Sequence, residues 1–289
     1  MEGPGWLLLR GFARGLHMAG AFGVFGTALL TATLLHRRAV AGLKRLALAS
    51  LAVAWFAGAA WFLLQTADFA AATSMSDVIS ALPIVAQDTR FGALLLGRCA
   101  ALAAATACLW VSPRLAAALA GGAIIAEAWL GHGGAMTGTI GALLLVTSIA
   151  HIAAAAAWLG SLPALYLALK QLPDAAAKQL AQNFSPLGIA CVAGLILTAA
   201  IQYTLLIARP AALFSSAYGL TATAKILGLT ALIALAIRNS TRLVPALPAN
   251  RPKLLSSVRN EILLAILILL AAGLILQLEP PTMAAMAGP

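Results

Sequence analysis

The chain has 289 residues, of which 62% are hydrophobic and 9% charged, with a mean hydropathy of +0.98 and a formal net charge of +10. A soluble domain carries about 25% charged residues, so a soluble fold is excluded. The basic residues sit in short loops between apolar runs and form no stripe interleaved with aromatics, which excludes nucleic acid as a partner.

Apolar runs close to the ~20 residues that cross a bilayer as a helix fall at 7–35, 44–65, 91–111, 115–130, 138–169, 185–208, 217–238 and 259–278. They predict an all-α polytopic membrane protein with eight transmembrane helices. The start, "MEGPGWLLLRGF", lacks a charged n-region and a small-residue cleavage site, so it reads as a mature N-terminus. Span 1 carries His17 with Met18 beside it, and ends at His36, Arg37 and Arg38, an interfacial charge group. The 66–89 loop, "TADFAAATSMSDVISALPIVAQDT", is expected to hold a short interfacial helix. Span 3 carries Arg98, and span 4 carries Glu127. The turn "GHGGAM" (131–136) contributes His132 and Met136. Span 5 holds His151 and Trp158 and is long enough to tilt or to project beyond the bilayer. Lys225 lies in span 7, and Met283 and Met286 lie in the tail. Pro113, Pro173, Pro210 and "VPALPANRP" (244–252) punctuate the joints. Cys99, Cys108 and Cys191 all fall inside apolar runs without CxxC spacing, and define no disulfide framework.

The basic residues also orient the chain. Arg37, Arg38, Lys44, Arg45, Arg114, Lys170, Lys178, Arg238, Arg242, Arg251, Lys253 and Arg259 follow the odd-numbered spans, twelve of the eighteen Lys and Arg. Cytoplasmic loops carry such an excess. Both termini are therefore expected on the opposite, periplasmic side.

Two alignments within the chain point to a duplication. "LHMAGAFGVFG" (16–26) over "AHIAAAAAWLG" (150–160) pairs His17 with His151 and Gly26 with Gly160, at an offset of 134. "RFGALLLGRCAAL" (90–102) over "AYGLTATAKILGL" (217–229) pairs Phe91 with Tyr218, Gly92 with Gly219 and Arg98 with Lys225, at an offset of 127. Four crossings return a chain to its starting side. The expectation is two parallel four-helix repeats, at 1–135 and 136–289, with a site at their interface.

No nucleophile with a base, phosphate loop or paired-carboxylate site is recognisable, so the chain does not read as an enzyme. The histidines carry the chemistry. Neutral imidazole binds several transition metals, and thioether sulfur selects soft Cu(I). His17, His132, His151 and Met136 combine both ligand types on the outer side. Met18, Arg98, Glu127, Trp158 and Lys225 are placed to support such a site, and Met283 and Met286 to gather metal in the tail. An intramembrane acid such as Glu127 is costly and functional by default. The alternative is haem, with His17 and His151 as axial ligands and Arg10 and Arg14, on the His17 face, meeting its propionates. A cofactor-free scaffold is the third reading.

Several stretches resemble the CopD copper-resistance family: "AHIAAAAAWLGSLPAL" (150–165), "NFSPLGIACVAGLILTAA" (183–200), "SSAYGLTATAKILGLTALIALAIRNSTRLVPAL" (215–247) and the closing "RNEILLAILILLAAGLILQLEPP". The family pattern of histidine, then Trp-Leu-Gly, is matched by His151, Trp158, Leu159 and Gly160, and its Tyr-Gly with a later lysine by Tyr218, Gly219 and Lys225. "RGLHMAGAFGVFG" and "GHGGAM" resemble the N-terminal part of full-length members. The resemblance implies a bacterial inner-membrane protein of copper homeostasis and resistance that moves copper ions from periplasm towards cytoplasm. It also implies a separate periplasmic CopC-like carrier as partner, and leaves self-association open.

Overall fold

The computed structural model describes residues 3–35 and 38–283. His36, Arg37 and Met286 lie outside the described residues. The described residues form helices and no strand. In chain order these are α1 (Pro4–Thr33), α2 (Leu43–Phe69), α3 (Met75–Asp88), α4 (Arg90–Cys108) and α5 (Pro113–Ala126), which continues as a 3-10 turn (Glu127–Leu130). There follow α6 (His132–Ala135), α7 (Gly138–Leu159), α8 (Leu162–Gln171), α9 (Asp174–Leu206) and α10 (Ala212–Ser215). The chain ends with α11 (Ala217–Arg238), extended by a π turn (Asn239–Leu243), and α12 (Arg251–Ile275).

Eight segments are long and apolar enough to span a bilayer: 5–33, 43–69, 90–108, 113–130, 138–171, 174–206, 217–243 and 251–275. Each answers to one apolar run of the sequence. Two of them begin before their apolar run does, the sixth at Asp174 and the eighth at Arg251. Backbone hydrogen bonding runs on past the greasy stretch into a polar, charge-bearing turn. The fifth span is interrupted between Leu159 and Leu162. Pro163 opens α8 there, and with no N–H it cannot satisfy the carbonyl four residues back.

The loop after α2 contains α3. Its start is a capping box: the Ser74 hydroxyl accepts from the Asp77 N–H, and the Asp77 carboxylate accepts from the Ser74 N–H at 2.9 Å. The Thr73 N–H also donates to this carboxylate at 3.0 Å. These bonds, that of the Thr73 backbone foremost, hold the Asp77 carboxyl below the usual carboxylate range. Met75, Ile79 and Ile84 are exposed while Val78 and Val85 are buried, so α3 is amphipathic.

α1 is the central post. Lipid tails are as apolar as leucine, so helix association rests on close packing rather than on hydrophobic expulsion. Accordingly α1 meets its neighbours through glycine. A Cβ on Gly15 would collide with the backbone of Leu269 and Leu270 on α12, and one on Gly273 with the backbone of Gly11 and Gly15. Near the other end of α1, a Cβ on Gly26 would strike the Gly160 carbonyl, and one on Gly160 the Phe22 carbonyl. Ser161 Oγ donates to the Gly26 carbonyl at this crossing, at 3.3 Å. Around α1 the core holds Phe22, Leu30, Trp158, Leu162, Leu169 and Leu232, all 2% exposed or less.

Candidate functional site

Two polar centres interrupt the apolar bundle. The first joins α1, α4 and the 3-10 turn. Arg14 donates from Nε (2.9 Å) and Nη2 (2.7 Å) to Glu127 Oε1, and from Nη2 to the Leu130 carbonyl at 2.9 Å. Arg98 forms an ion pair with Glu127 Oε2 and donates from Nε to the Ala123 carbonyl at 2.8 Å. All three side chains are 2% exposed or less. The Arg14 guanidinium also lies 4.7 Å from the Trp61 ring centroid, a cation–π contact. Glu127 is thus the common counter-ion of two buried guanidinium groups.

The second centre is a cavity of about 220 Å³ whose lining includes His132, His151, Gln202, Tyr218 and Lys225, with Met18 from α1. The lining is otherwise largely aliphatic, from α7, α9, α11 and α12.

The cations reach these centres from alike helix starts. Thr89 caps α4: its hydroxyl accepts from the Gly92 N–H at 3.0 Å and donates to the Val85 carbonyl at 2.6 Å. Ser216 caps α11 with both bonds at the positions offset by 127, accepting from Gly219 at 3.0 Å and donating to Ala212 at 2.8 Å. Gly92 and Gly219 are each pressed against the preceding helix, where a Cβ would meet the Val85 and Ala212 carbonyls respectively. Arg98 and Lys225 follow six residues after these glycines.

The histidine tautomers follow from the partners. His17 Nδ1 lies 2.8 Å from the Ala54 carbonyl, which only accepts, so Nδ1 carries the proton. Its Nε2 is buried and has no hydrogen-bond partner. His151 Nδ1 lies 2.8 Å from Thr198 Oγ1. The single hydroxyl proton of Thr198 is directed to the Gly194 carbonyl at 2.7 Å, so Thr198 accepts from His151. Both imidazoles therefore present an Nε2 lone pair, with Nδ1–H fixed by an oxygen, which is the arrangement that orients metal-binding histidines.

His132 follows the 3-10 turn, with its ring centroid 5.7 Å from that of Tyr218 and its Nε2 buried without a partner. Burial pushes its imidazole down to about 4, aided by Arg14 and Lys225 and opposed by the Ile275 backbone, so the ring is neutral at neutral pH.

His132 and His151 thus line one cavity, and Met18 and Glu127 reach it. His17 does not line it: it is fully buried against α2, its ring 5.9 Å from Trp61. Met136 and Met283 pack into the apolar cluster of Leu144, Leu206 and Tyr218. Trp158 is 2% exposed and belongs to the core beside α9. Among the described residues, no three or more His, Cys, Asp or Glu side chains gather closely enough to hold a metal ion. Gln202, a cavity residue, was identifiable beforehand as the one strongly polar amide in the apolar run of span 6. Arg14's partner was not, being 113 residues away.

Residues 6–142 match the family model described as copper resistance protein D-like, N-terminal domain, and residues 178–275 match the model described as copper resistance protein D. No curated protein matches the chain, and no solved structure does.

Proposed function

The chain belongs to the copper resistance protein D family, and on that premise we propose that it carries copper ions across the bacterial inner membrane, from periplasm towards cytoplasm, through the cavity behind the His132 turn. Both termini face the periplasm in this reading, and the units 1–135 and 136–289 are parallel repeats. A separate CopC-like carrier delivers the ion near His132. The observation that carries the proposal is the fixed tautomer of His151: Thr198 takes Nδ1–H, leaving the Nε2 lone pair on a residue that lines the cavity. His132 adds a second neutral imidazole, and the Met18 thioether suits Cu(I). His17, held in the same tautomer by Ala54, offers a further ligand outside the cavity. Trp158, Met136 and Met283 serve packing in this scheme.

Haem gains no support. Arg10 is paired with Asp68 and Arg14 with Glu127, so neither is available to a propionate. The test is copper uptake into proteoliposomes together with metal content and an absorption spectrum of the purified protein. Wild type is expected to bind copper and show no Soret band. His151→Ala is expected to lose most uptake, and uptake unchanged in both His132→Ala and His151→Ala would end the proposal.

A further inference from the structure

The two polar centres use corresponding positions differently. His17 and Arg98 stand beside a carboxylate, Glu127, which Arg14 also grips. At the positions offset by 134 and 127 stand His151 and Lys225, and the counterpart of Arg14 is Ser148. No carboxylate accompanies them. No acidic side chain acts on the Lys225 ammonium, and no hydrogen bond or ion pair engages it among the described residues. The α12 residues that share the cavity with Lys225 are Ile268, Leu269 and Ala272. Glu127 reaches the cavity wall, but its charge is taken by two guanidinium groups.

A lone ammonium inside a membrane protein is costly, and such groups pair with one another or mark a ligand pathway. A second unused donor is present: Gln202 Nε2 is buried with no acceptor. The cavity is thus supplied with donors, short of acceptors, and otherwise aliphatic. Its volume of about 220 Å³ lies below the ~300–1,000 Å³ of pockets for drug-sized ligands, so its occupant is small.

We propose that this cavity binds an organic monocarboxylate, with the carboxylate on Lys225 and Gln202 and an aliphatic chain along Ile268 and Leu269. The bound anion takes the place that Glu127 fills in the first centre and neutralises the cavity. The site rests on Lys225 and not on copper, so it stands or falls separately from the transport reading.

The test is isothermal titration of the copper-free protein in nanodiscs with hexanoate and with its neutral isostere hexanamide. Wild type is expected to bind hexanoate at least tenfold more tightly. Lys225→Gln is expected to fold, since it removes an unpaired charge, and to bring the ratio to about one; Lys225→Arg is expected to retain the preference. Oleate serves as a bilayer-derived carboxylate. Tighter binding of oleate assigns the ligand to the membrane, and tighter binding of hexanoate assigns it to solution. Equal binding of hexanoate and hexanamide to wild type, or a tenfold preference surviving in Lys225→Gln, overturns the proposal.

Discussion

Replacing Glu127 by glutamine isolates the energetics of the first polar centre. The trio of Arg14, Arg98 and Glu127 carries a net charge of +1; in the variant the two guanidinium groups face each other at +2. The carboxylate accepts two bonds from Arg14, at 2.9 and 2.7 Å, and contacts Arg98 through its other oxygen. A glutamine amide retains one acceptor and turns an NH₂ towards a cation. The trio is 2% exposed or less, so water does not compensate. Breaking a buried ion pair by removing one partner costs about 3–5 kcal/mol. The expected loss lies in that range, held below twice the value because the Leu130 and Ala123 carbonyls still accept from the arginines. The assay is the midpoint of an SDS titration in dodecyl maltoside, followed by circular dichroism. Adding Arg98→Gln to Glu127→Gln removes the surplus cation, and is expected to recover at least ~1 kcal/mol relative to the sum of the single variants. A loss under about 1 kcal/mol for Glu127→Gln, or strict additivity in the double variant, refutes the reasoning.

Thr198→Val removes the acceptor that fixes the His151 tautomer while leaving the helix intact. Loss of such an outer partner typically costs 10–100-fold in metal affinity, to be read by Cu(I) competition against a chromophoric chelator. Gly160→Ala forces a Cβ against the Phe22 carbonyl, whereas Gly122→Ala meets nothing within 4 Å. The first is expected to lower stability by about 1–3 kcal/mol and the second to be neutral, in thermal melts of the two proteins. His132 is expected to show no titration between pH 7 and 5 by imidazole NMR, because burial holds it near 4. An imidazole at the ordinary ~6.5 is only about 3% neutral at pH 5, whereas one near 4 is still about 90% neutral. A midpoint above pH 6 contradicts its burial.

The eight spans were legible because the bilayer imposes a length and an apolarity that appear in the sequence residue by residue. The ends were less so. Apolarity reports where a helix leaves lipid, while α9 continues its hydrogen bonding back to Asp174 through a polar segment. The break before α8 had a sign in Pro163, obscured by the unbroken greasy run around it. Of the site residues, His151, His132, Lys225 and Glu127 stood out as polar groups in apolar surroundings. Their grouping did not. Whether Glu127 meets Arg98, Arg14 or both depends on how helices distant in sequence cross, and no local pattern encodes that. The cavity was hidden for a related reason: it is space that α7, α9, α11 and α12 leave between them, which no single helix announces.

The crossing of α1 and α7 at Gly26 and Gly160 also has a mechanical meaning. Two helices that touch through bare backbone resist closer approach, but they have no interlocked side chains to resist rotation. The hydrogen bond from Ser161 Oγ to the Gly26 carbonyl tethers the joint without locking its angle. Such a contact acts as a fulcrum. Tilting α7 about it closes the helix pair at the His132 end as it parts the pair beyond Leu30, so a small rocking motion there exposes opposite ends of the bundle in turn.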